Sequence, residues 1–284
     1  MIKFGFSGHA DRQEGYTLPE FVEACVDMDI DLYEYPFGRG ITTTILSNTP
    51  KIKSAFENTN ILLSVHAPYF TNFANPDFNM VENSIGYVLN AIQCATIMNA
   101  QRIIVHPATQ GKVTRCEAMK TTKYNLLKLC DKLDQYNIND CQIHLETMGK
   151  HGQLGTSEEI LEMCSLDRRF YPCVDFGHLN ARELGHYTKN PEAFEMLLTH
   201  YRDSLPAYKM SQLHIHFSKI QYGNKGELKH LTFSDTFFGP DFEPLIDALI
   251  KHNLNAHIIC ESAGTQDVDA LTMKKYFLRK TSNI

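Results

Sequence analysis

Histidine and acidic side chains recur along this chain where short apolar runs give way to turns. They are His66, His106, Glu146, Asp175, His178, His214 and Glu261. Imidazole nitrogens and carboxylate oxygens are ligands that zinc takes in proteins, and manganese is suited where carboxylates dominate. A lone histidine at a strand end is more often a hydrogen-bonded structural residue. Several on one face instead predict a metal centre, because a buried carboxylate without a cation carries a large desolvation cost.

The apolar runs that precede these residues are rich in Val, Ile, Phe and Leu, and they alternate with longer amphipathic stretches. This alternation predicts eight β-α units. The predicted strands are Ile2 to Ser7, Asp31 to Pro36, Ile61 to His66, Arg102 to His106, Cys141 to Glu146, Tyr171 to Asp175, Gln212 to His216 and His257 to Glu261. Helix starts are predicted at Thr17, Thr156 and Asn190, which are capping residues followed by proline or glutamate.

Eight such units predict an α/β fold, a (β/α)8 TIM barrel. A barrel of this kind takes roughly 250 residues, so the 284 residues of the chain predict a single barrel domain over 1–284. The reactive groups of such barrels lie at the C-terminal ends of the strands. The histidines and carboxylates at the predicted strand ends should therefore converge on one barrel mouth.

Three further segments offer side chains to that mouth. A long loop, 218–239, follows strand seven and contains Glu227 and His230, which could bind a metal or belong to a solvated polar loop. Tyr69, three residues after His66, is a candidate substrate contact or an aromatic cover over the core. Arg39, between two glycines after strand two, could meet a phosphate or belong only to a tight turn.

Strand seven carries two histidines, His214 and His216, at a spacing that points both rings to the same face. If one ring faces the barrel mouth, the other faces a different layer of the interior. The spacing leaves open which of the two is the ligand.

Composition restricts the classes of function. The chain is 43% hydrophobic and 21% charged, as in ordinary globular proteins, and its net charge of -6 argues against a protein that coats nucleic acid through a basic face. Its eight cysteines form no Cys-x-x-Cys pair. The sequence has neither a signal-peptide pattern at its start nor a membrane-length apolar run. We therefore expect a cytoplasmic protein without membrane contact, and we expect a monomer.

The strand-end residues resemble the endonuclease IV class of apurinic/apyrimidinic endonucleases, within the xylose-isomerase-like barrels. The resembling motifs run along nearly the whole chain as His66-x-x-Tyr69, His106-Pro107, Glu146-Thr147, Asp175-x-x-His178, His214 and Glu261. The resemblance implies two or three Zn²⁺ ions per chain, with Mn²⁺ as an alternative at one site. By that analogy the first ion is bound by His66, His106 and Glu146, the second by Glu146, Asp175, His214 and Glu261, and the third by His178 and His230. It is this analogy that favours His214 over His216.

Two departures concern the third ion and strand seven. The family has an aspartate two residues before the loop histidine, where this chain has Leu228, so Glu227 would have to substitute. The Asn-Asp that the family carries after the strand-seven histidine is replaced here by His216-Phe217.

The activity that the resemblance implies is metal-dependent hydrolysis of a DNA phosphodiester on the 5′ side of an abasic site. The partner is then double-stranded DNA, Glu146 and Glu261 act in catalysis, and Tyr69 and Arg39 contact the substrate. The alternative is a single-metal sugar isomerase or epimerase of the same superfamily, with Glu146 and Glu261 as paired acid and base. That alternative leaves His66 and His106 without a role. A barrel that only binds a ligand is a third possibility, and it predicts degraded metal positions.

Overall fold

Eight parallel strands close on one another into a barrel in the computed structural model, which describes residues 1–282. The barrel strands are β1 (Ile2–Ser7), β2 (Leu32–Pro36), β3 (Leu62–His66), β4 (Arg102–Val105), β5 (Gln142–Glu146), β6 (Phe170–Asp175), β7 (His214–Phe217) and β8 (Ala256–Cys260). Each strand pairs with its neighbours in chain order, and β8 pairs with β1 to close the ring. The fold is therefore the (β/α)8 barrel that the alternation of segments predicts.

Helices connect the strands and pack around the barrel. They are α1 (Leu18–Asp27), α2 (Thr43–Phe56), α3 (Phe78–Met98), α4 (Arg115–Gln135), α5 (Ser157–Cys164), α6 (Phe176–Arg182), α7 (His186–Lys189), α8 (Ala193–Ser204), α9 (Ala207–Met210), α10 (Glu243–Lys251) and α11 (Gln266–Thr281). A short 3-10 turn covers Asp11–Gln13. The main apolar core, with Phe21, Phe170 and Leu245 among its fully buried members, lies between the strands and these helices.

The sequence signals for helix starts are confirmed in two cases and wrong in one. Thr17 and Thr156 each form a capping box with the glutamate three residues on, at the start of α1 and α5. Asn190 does not begin a helix, because α8 starts at Ala193. The Asn190 side chain instead donates to the carbonyl of His186, 2.9 Å away, and so closes α7.

The segment after β7 is ordered rather than an irregular loop. Residues Ile220–Gly223 and Gly226–His230 pair as an antiparallel hairpin, which we call the β7 hairpin. A second short antiparallel pair, Ala108–Thr109 with Gln153–Leu154, joins the segments that follow β4 and β5. Both lie beyond the C-terminal ends of the strands, where they extend the barrel mouth.

The interior of the barrel is more polar than is usual for this fold, in which bulky branched residues fill the layers. Its fully buried polar side chains are Glu34, His144, Glu146, Asp175, His214 and His216. Such groups need partners, because burying an unpaired polar or charged group is costly. Contacts between polar side chains therefore replace part of the apolar packing inside the barrel.

All eight cysteines are free thiols. Among the helices described, none combines the length and the apolar character needed to cross a membrane.

The contact between β1 and β2 predicts a sharp cost for a small substitution. A Cβ at Gly5 would lie 2.0 Å from the carbonyl oxygen of Leu32, so Gly5→Ala must push the two strands apart. We expect Gly5→Ala to lower the free energy of unfolding by about 3 kcal/mol or more, as measured by denaturant titration. Gly86→Ala in α3, where nothing lies within 4 Å of the added atom, should stabilise by about 0.5–1 kcal/mol. Equal effects of the two variants would contradict this account of the contact.

Candidate metal centre

A cavity of about 550 Å³ opens at the C-terminal ends of the strands. The histidines and carboxylates that line it are His66, His106, Glu146, His178, Glu227, His230 and Glu261. Asp175 and His216 lie just beneath it and are fully buried. The predicted strand-end residues thus converge at the barrel mouth, apart from His214.

The first group of potential ligands surrounds one oxygen of Glu146. The Nε2 atoms of His66 and His106 lie 3.1 Å and 3.0 Å from Glu146 Oε2. These three residues come from the ends of β3, β4 and β5. The positions of the donor atoms, within 4.8 Å of one another, suit a shared cation.

The hydrogen-bond partner of Nδ1 shows which nitrogen of the His66 and His106 rings carries the hydrogen. His66 Nδ1 donates to the carbonyl of Ala67 at 2.8 Å, and His106 Nδ1 donates to the carbonyl of Tyr69 at 3.1 Å. A neutral ring therefore directs the lone pair of Nε2 at Glu146 Oε2. Lone pairs facing a carboxylate oxygen repel it unless a cation or a proton lies between them. Donation of the other ring nitrogen to a backbone carbonyl is also the usual second-shell arrangement of a metal-ligating histidine.

The second group shares Glu146 and lies deeper. It consists of Glu146, Asp175, His216 and Glu261, whose donor atoms also lie within 4.8 Å of one another. His216 Nδ1 lies 3.3 Å from Glu146 Oε1 and 3.5 Å from Glu261 Oε1. Because both groups include Glu146, its two oxygens could bridge two ions.

The structure corrects the preference for His214 in this group. His216 is in register with Asp175, whereas His214 is one layer lower, in register with Cys173. The Nε2 atom of His214 points away from the mouth and lies 3.1 Å from Glu34 Oε2. The physical reason is the two-residue period of a strand, which places only the later of two inward-facing histidines at the level of the strand ends.

The third group brings the β7 hairpin onto the barrel. His178, Glu227 and His230 have donor atoms within 4.8 Å of one another, and His178 Nε2 lies 3.5 Å from Glu227 Oε2. The Nδ1 atom of His178 donates to the carbonyl of Thr147 at 2.9 Å, so Nε2 is the ring nitrogen that faces the group. Glu227 thus lies where it can substitute for the aspartate that this chain lacks at position 228.

The hairpin docks through a glycine. The backbone N–H of Glu227 donates to the carbonyl of Gly149 at 3.1 Å. A Cβ at Gly149 would lie 2.7 Å from the Cβ of Glu227 and 3.0 Å from Cδ2 of His178. The absence of a side chain at Gly149 is what lets the third group form.

Tyr69 and Arg39 lie at the rim. Tyr69 is 46% exposed, and its ring lies beside His66 and His106, with ring centroids 4.8 Å and 5.5 Å away. Its backbone N–H donates to the carbonyl of Gly38, which ties it to the turn that carries Arg39. Arg39 is exposed and does not line the cavity. Tyr69 could therefore contact a bound molecule directly, and Arg39 could reach only a part that extends beyond the rim.

The pKa values of the buried groups in the centre show that its carboxylates and histidines stabilise one another's charged forms. Burial alone would raise the pKa of Glu146, but the positive charges of His106 and His216 hold that pKa well below its usual range. Burial raises the pKa of Asp175. Burial would also lower the pKa of His178 and of His216, yet the acidic groups around them raise both pKa values well above the usual range. The carboxylates that raise these two histidine pKa values also provide the negative field that a divalent cation needs.

One buried carboxylate was not among the residues predicted from the sequence. Glu34 lies inside β2 rather than at a strand end, and its Oε1 lies 3.1 Å from His216 Nε2. Attention to strand ends alone misses it. The signal that could have found it is a single acidic residue in the otherwise apolar run Leu32–Pro36.

Comparisons with known proteins agree with this architecture. Residues 22–278 match the family described as a xylose isomerase-like TIM barrel. An uncharacterized protein of Methanocaldococcus jannaschii is 30% identical over 219 residues, which cover 76% of this chain and 77% of that protein. A protein of Mycoplasma mobile named "Probable endonuclease 4" is 26% identical over 211 residues, which cover 72% of this chain and 70% of that protein.

Solved structures with other activities share the fold. A D-tagatose 3-epimerase-like protein superposes with a TM-score of 0.71 at 18% identity, covering 99% of both chains. Endonuclease IV from Thermus thermophilus superposes with a TM-score of 0.69 at 13% identity, covering 98% of this chain and 99% of that one. At such identities the superpositions establish the fold and leave the activity to the local site.

The raised histidine pKa values predict how the stability of the metal-free protein depends on pH. A group whose pKa is higher in the folded state contributes stability below its unfolded pKa, about 6.5 for histidine, and that contribution is lost as the pH rises through the folded value. After treatment with a chelator, the melting temperature should therefore fall as the pH is raised from 6.5.

Two variants separate this effect from general pH dependence. His178→Asn should flatten the slope of melting temperature against pH. His200→Asn should leave it unchanged, since His200 is an exposed ring paired with Glu158 on the surface. A metal-free protein whose melting temperature is constant or rises over this range would contradict the electrostatics described.

Proposed function

We propose, from the premise that the chain belongs to the xylose isomerase-like TIM barrel family, that it is a metal-dependent phosphodiester hydrolase. Its substrate in this proposal is double-stranded DNA, which it incises on the 5′ side of an abasic site. The likeness to a protein named for endonuclease 4 supports this class of activity. The local arrangement of ligands supports it independently.

The observation that carries the proposal is the approach of two imidazole nitrogens, Nε2 of His66 and of His106, to within 3.1 Å of Glu146 Oε2. A single-ion sugar epimerase needs one group of four ligands, which Glu146, Asp175, His216 and Glu261 would supply. It gives no role to His66 and His106. Their convergence on the shared carboxylate supports a centre with more than one ion.

The donor set fits zinc. The first and third groups combine two imidazoles with one carboxylate, and the second combines one imidazole with three carboxylates. Zinc takes nitrogen and oxygen ligands of this kind, and manganese is suited to the carboxylate-rich group. We propose two or three Zn²⁺ ions per chain, with Mn²⁺ as the alternative in the second group. Bound there, such ions would ionise water near neutral pH and neutralise charge on the phosphate.

The protein's own side chains would orient the substrate and move a proton. The Glu261 carboxylate is 15% exposed, unlike that of Glu146, so it can accept a proton from water that enters the cavity. Tyr69 could stack on an extruded sugar or base, and Arg39 could bind a backbone phosphate beyond the rim. An abasic residue costs less to turn out of the duplex than an intact paired base.

The net charge of -6 is compatible with this substrate. Bound divalent cations would offset several of the carboxylates at the mouth. Lys150 also lines the cavity and is exposed, so it adds a positive charge next to the metal centre. We propose that the chain acts on DNA as a monomer in the cytoplasm.

Metal content and cleavage test the proposal together. Elemental analysis should find two or three ions per chain, and the loaded protein should nick a duplex that carries one abasic analogue, leaving a 3′-hydroxyl. Glu146→Gln should lower the cleavage rate by about a hundredfold or more, because it removes the charge shared by two groups of ligands. Glu158→Gln is the matched control, since it makes the same change at an exposed surface position.

Two results would count against the nuclease. One ion per chain with no nicking at any divalent metal tested would favour the sugar epimerase. Normal turnover by Glu146→Gln would show that the centre lies elsewhere.

The third group allows a separate test. Gly149→Ala should displace Glu227 and His178, and we expect the metal content to fall by about one ion per chain. Gly152→Ala is the control, because nothing lies within 4 Å of the atom it adds. Elemental analysis after dialysis measures both variants. Equal metal content in the two variants would show that the β7 hairpin holds no ion. If Gly149→Ala loses an ion but its cleavage rate falls less than that of Glu146→Gln, the third ion is dispensable for cleavage.

A further inference from the structure

We infer that Arg182 is a positioning residue, which places Glu227 beside His178 by holding the loop on which the β7 hairpin docks. This loop, residues 148–153, follows β5, and we call it the β5 loop. The inference rests on the third group of ligands in the proposed function. Arg182 is the last residue of α6 and does not line the cavity. Neither the strand-end pattern nor the resemblance gives it a role.

The guanidinium of Arg182 is met by four carbonyl oxygens of the β5 loop. Its Nη1 atom donates to the carbonyls of Met148 at 2.9 Å and Lys150 at 2.7 Å. Its Nη2 atom donates to the carbonyl of Gln153 at 3.2 Å and, over a longer distance of 3.4 Å, to that of His151. A guanidinium carries its donors in a planar fork, so it can serve several acceptors at once. One side chain thus fixes the path of the loop.

A second arginine reaches only the far end of the β5 loop. Arg115 of α4 donates to the carbonyls of His151 and Gln153, both at 3.0 Å. The carbonyls on either side of Gly149 are instead held by Arg182. The part of the loop that receives the hairpin therefore depends on Arg182.

The β7 hairpin docks on the β5 loop through two backbone hydrogen bonds. The N–H of Glu227 donates to the carbonyl of Gly149 at 3.1 Å, and the N–H of His151 donates to the carbonyl of Lys225 at 3.0 Å. These bonds set the point from which the Glu227 side chain extends, and its Oε2 then lies 3.5 Å from His178 Nε2. A displacement of the loop is therefore passed directly to this ligand.

Helix α6 carries a ligand of the third group as well as Arg182. His178 and Arg182 are four residues apart, which places their side chains on the same face of the helix. His178 Nδ1 donates to the carbonyl of Thr147, and Arg182 Nη1 donates to the next carbonyl along the chain, that of Met148, each at 2.9 Å. The helix that supplies one ligand thus also holds the loop on which another is positioned.

A different role for Arg182 is that of a positive charge at the C-terminal end of α6, where cations are favourable. A lysine keeps that charge, but its ammonium is a single point rather than a fork. Arg182→Lys therefore separates positioning of the loop from stabilisation of the helix end.

Arg182→Lys should loosen the hairpin and weaken one metal site. In the metal-free protein we expect the backbone amide of Glu227 to exchange its hydrogen about tenfold faster than in wild type, because the loop loses several charged hydrogen bonds. With Zn²⁺, one ion per chain should bind about 10–100-fold more weakly, the range for loss of a contact that orients a ligand. The ion held by His66 and His106 should keep its affinity. Hydrogen exchange and chelator competition on the full chain measure the two effects.

The matched control is Arg168→Lys, the same substitution at an exposed arginine that donates to Asn139 at 3.4 Å. It should leave the exchange of the Glu227 amide and the affinity for every ion unchanged. Thermal unfolding shows whether both variants are folded. Wild-type exchange of that amide in folded Arg182→Lys, or wild-type affinity at every site, would overturn the inference.

Wild type decides the matter if Arg182→Lys does not fold. Without metal, its Glu227 and His151 amides should both be protected from exchange, since both belong to the docked hairpin. Exchange of either amide at the rate of an unstructured segment would refute the docking that Arg182 is inferred to hold.

The measurements separate this inference from the proposed function. If wild type binds several ions and cleaves DNA, while Arg182→Lys exchanges and binds metal as wild type does, only the role of Arg182 fails. If wild type binds no divalent ion, the proposed function fails. Exchange of the Glu227 amide, which is measured without metal, then still shows whether Arg182 positions that residue.

Discussion

The site is organised around one carboxylate, Glu146, whose two oxygens are approached from different directions. His66 and His106 approach one oxygen, and His178 and His216 lie near the other. A buried carboxylate in this position is costly unless positive charge compensates it. Protons can supply that charge in the metal-free chain and divalent ions can supply it when bound. The rest of the barrel mouth is arranged to hold these histidines at the required distance.

Much of that arrangement comes from backbone groups rather than from other side chains. The carbonyls of Ala67, Tyr69 and Thr147 each accept from an Nδ1–H, and so orient three of the rings. These carbonyls lie at or just after strand ends, where the barrel ladder no longer uses them. The same strand ends that place the ligands therefore also supply their partners, which explains why a barrel can build such a centre from short segments.

The sequence predicts the fold and most of the centre because both depend on local pattern. Apolar runs followed by histidine or a carboxylate identify the strand ends, and parallel strands bring those ends together. The pattern cannot resolve His214 from His216, because both rings point to the same face and only the exact level of β7 against β6 separates them. Glu227 could be named as a substitute from the sequence, but its place depends on how the β7 hairpin docks on Gly149. Such contacts between distant segments leave no periodic signal.

A second buried carboxylate, Glu34, lies in the layer of the barrel beneath the metal centre. Two imidazoles one layer apart on the same strand could each take either tautomer, and an interior lined by aliphatic side chains would not select one. Glu34 accepts from Ser64 Oγ and from His214 Nε2, and it thereby selects the tautomer of His214. The Nδ1 atom of His214 then accepts from Arg102, whereas the Nδ1 atom of His216 is hydrogen-bonded to Glu146 in the metal centre. The polar interior therefore gives the histidine of the lower layer partners of its own and leaves His216 to the carboxylates of the metal centre.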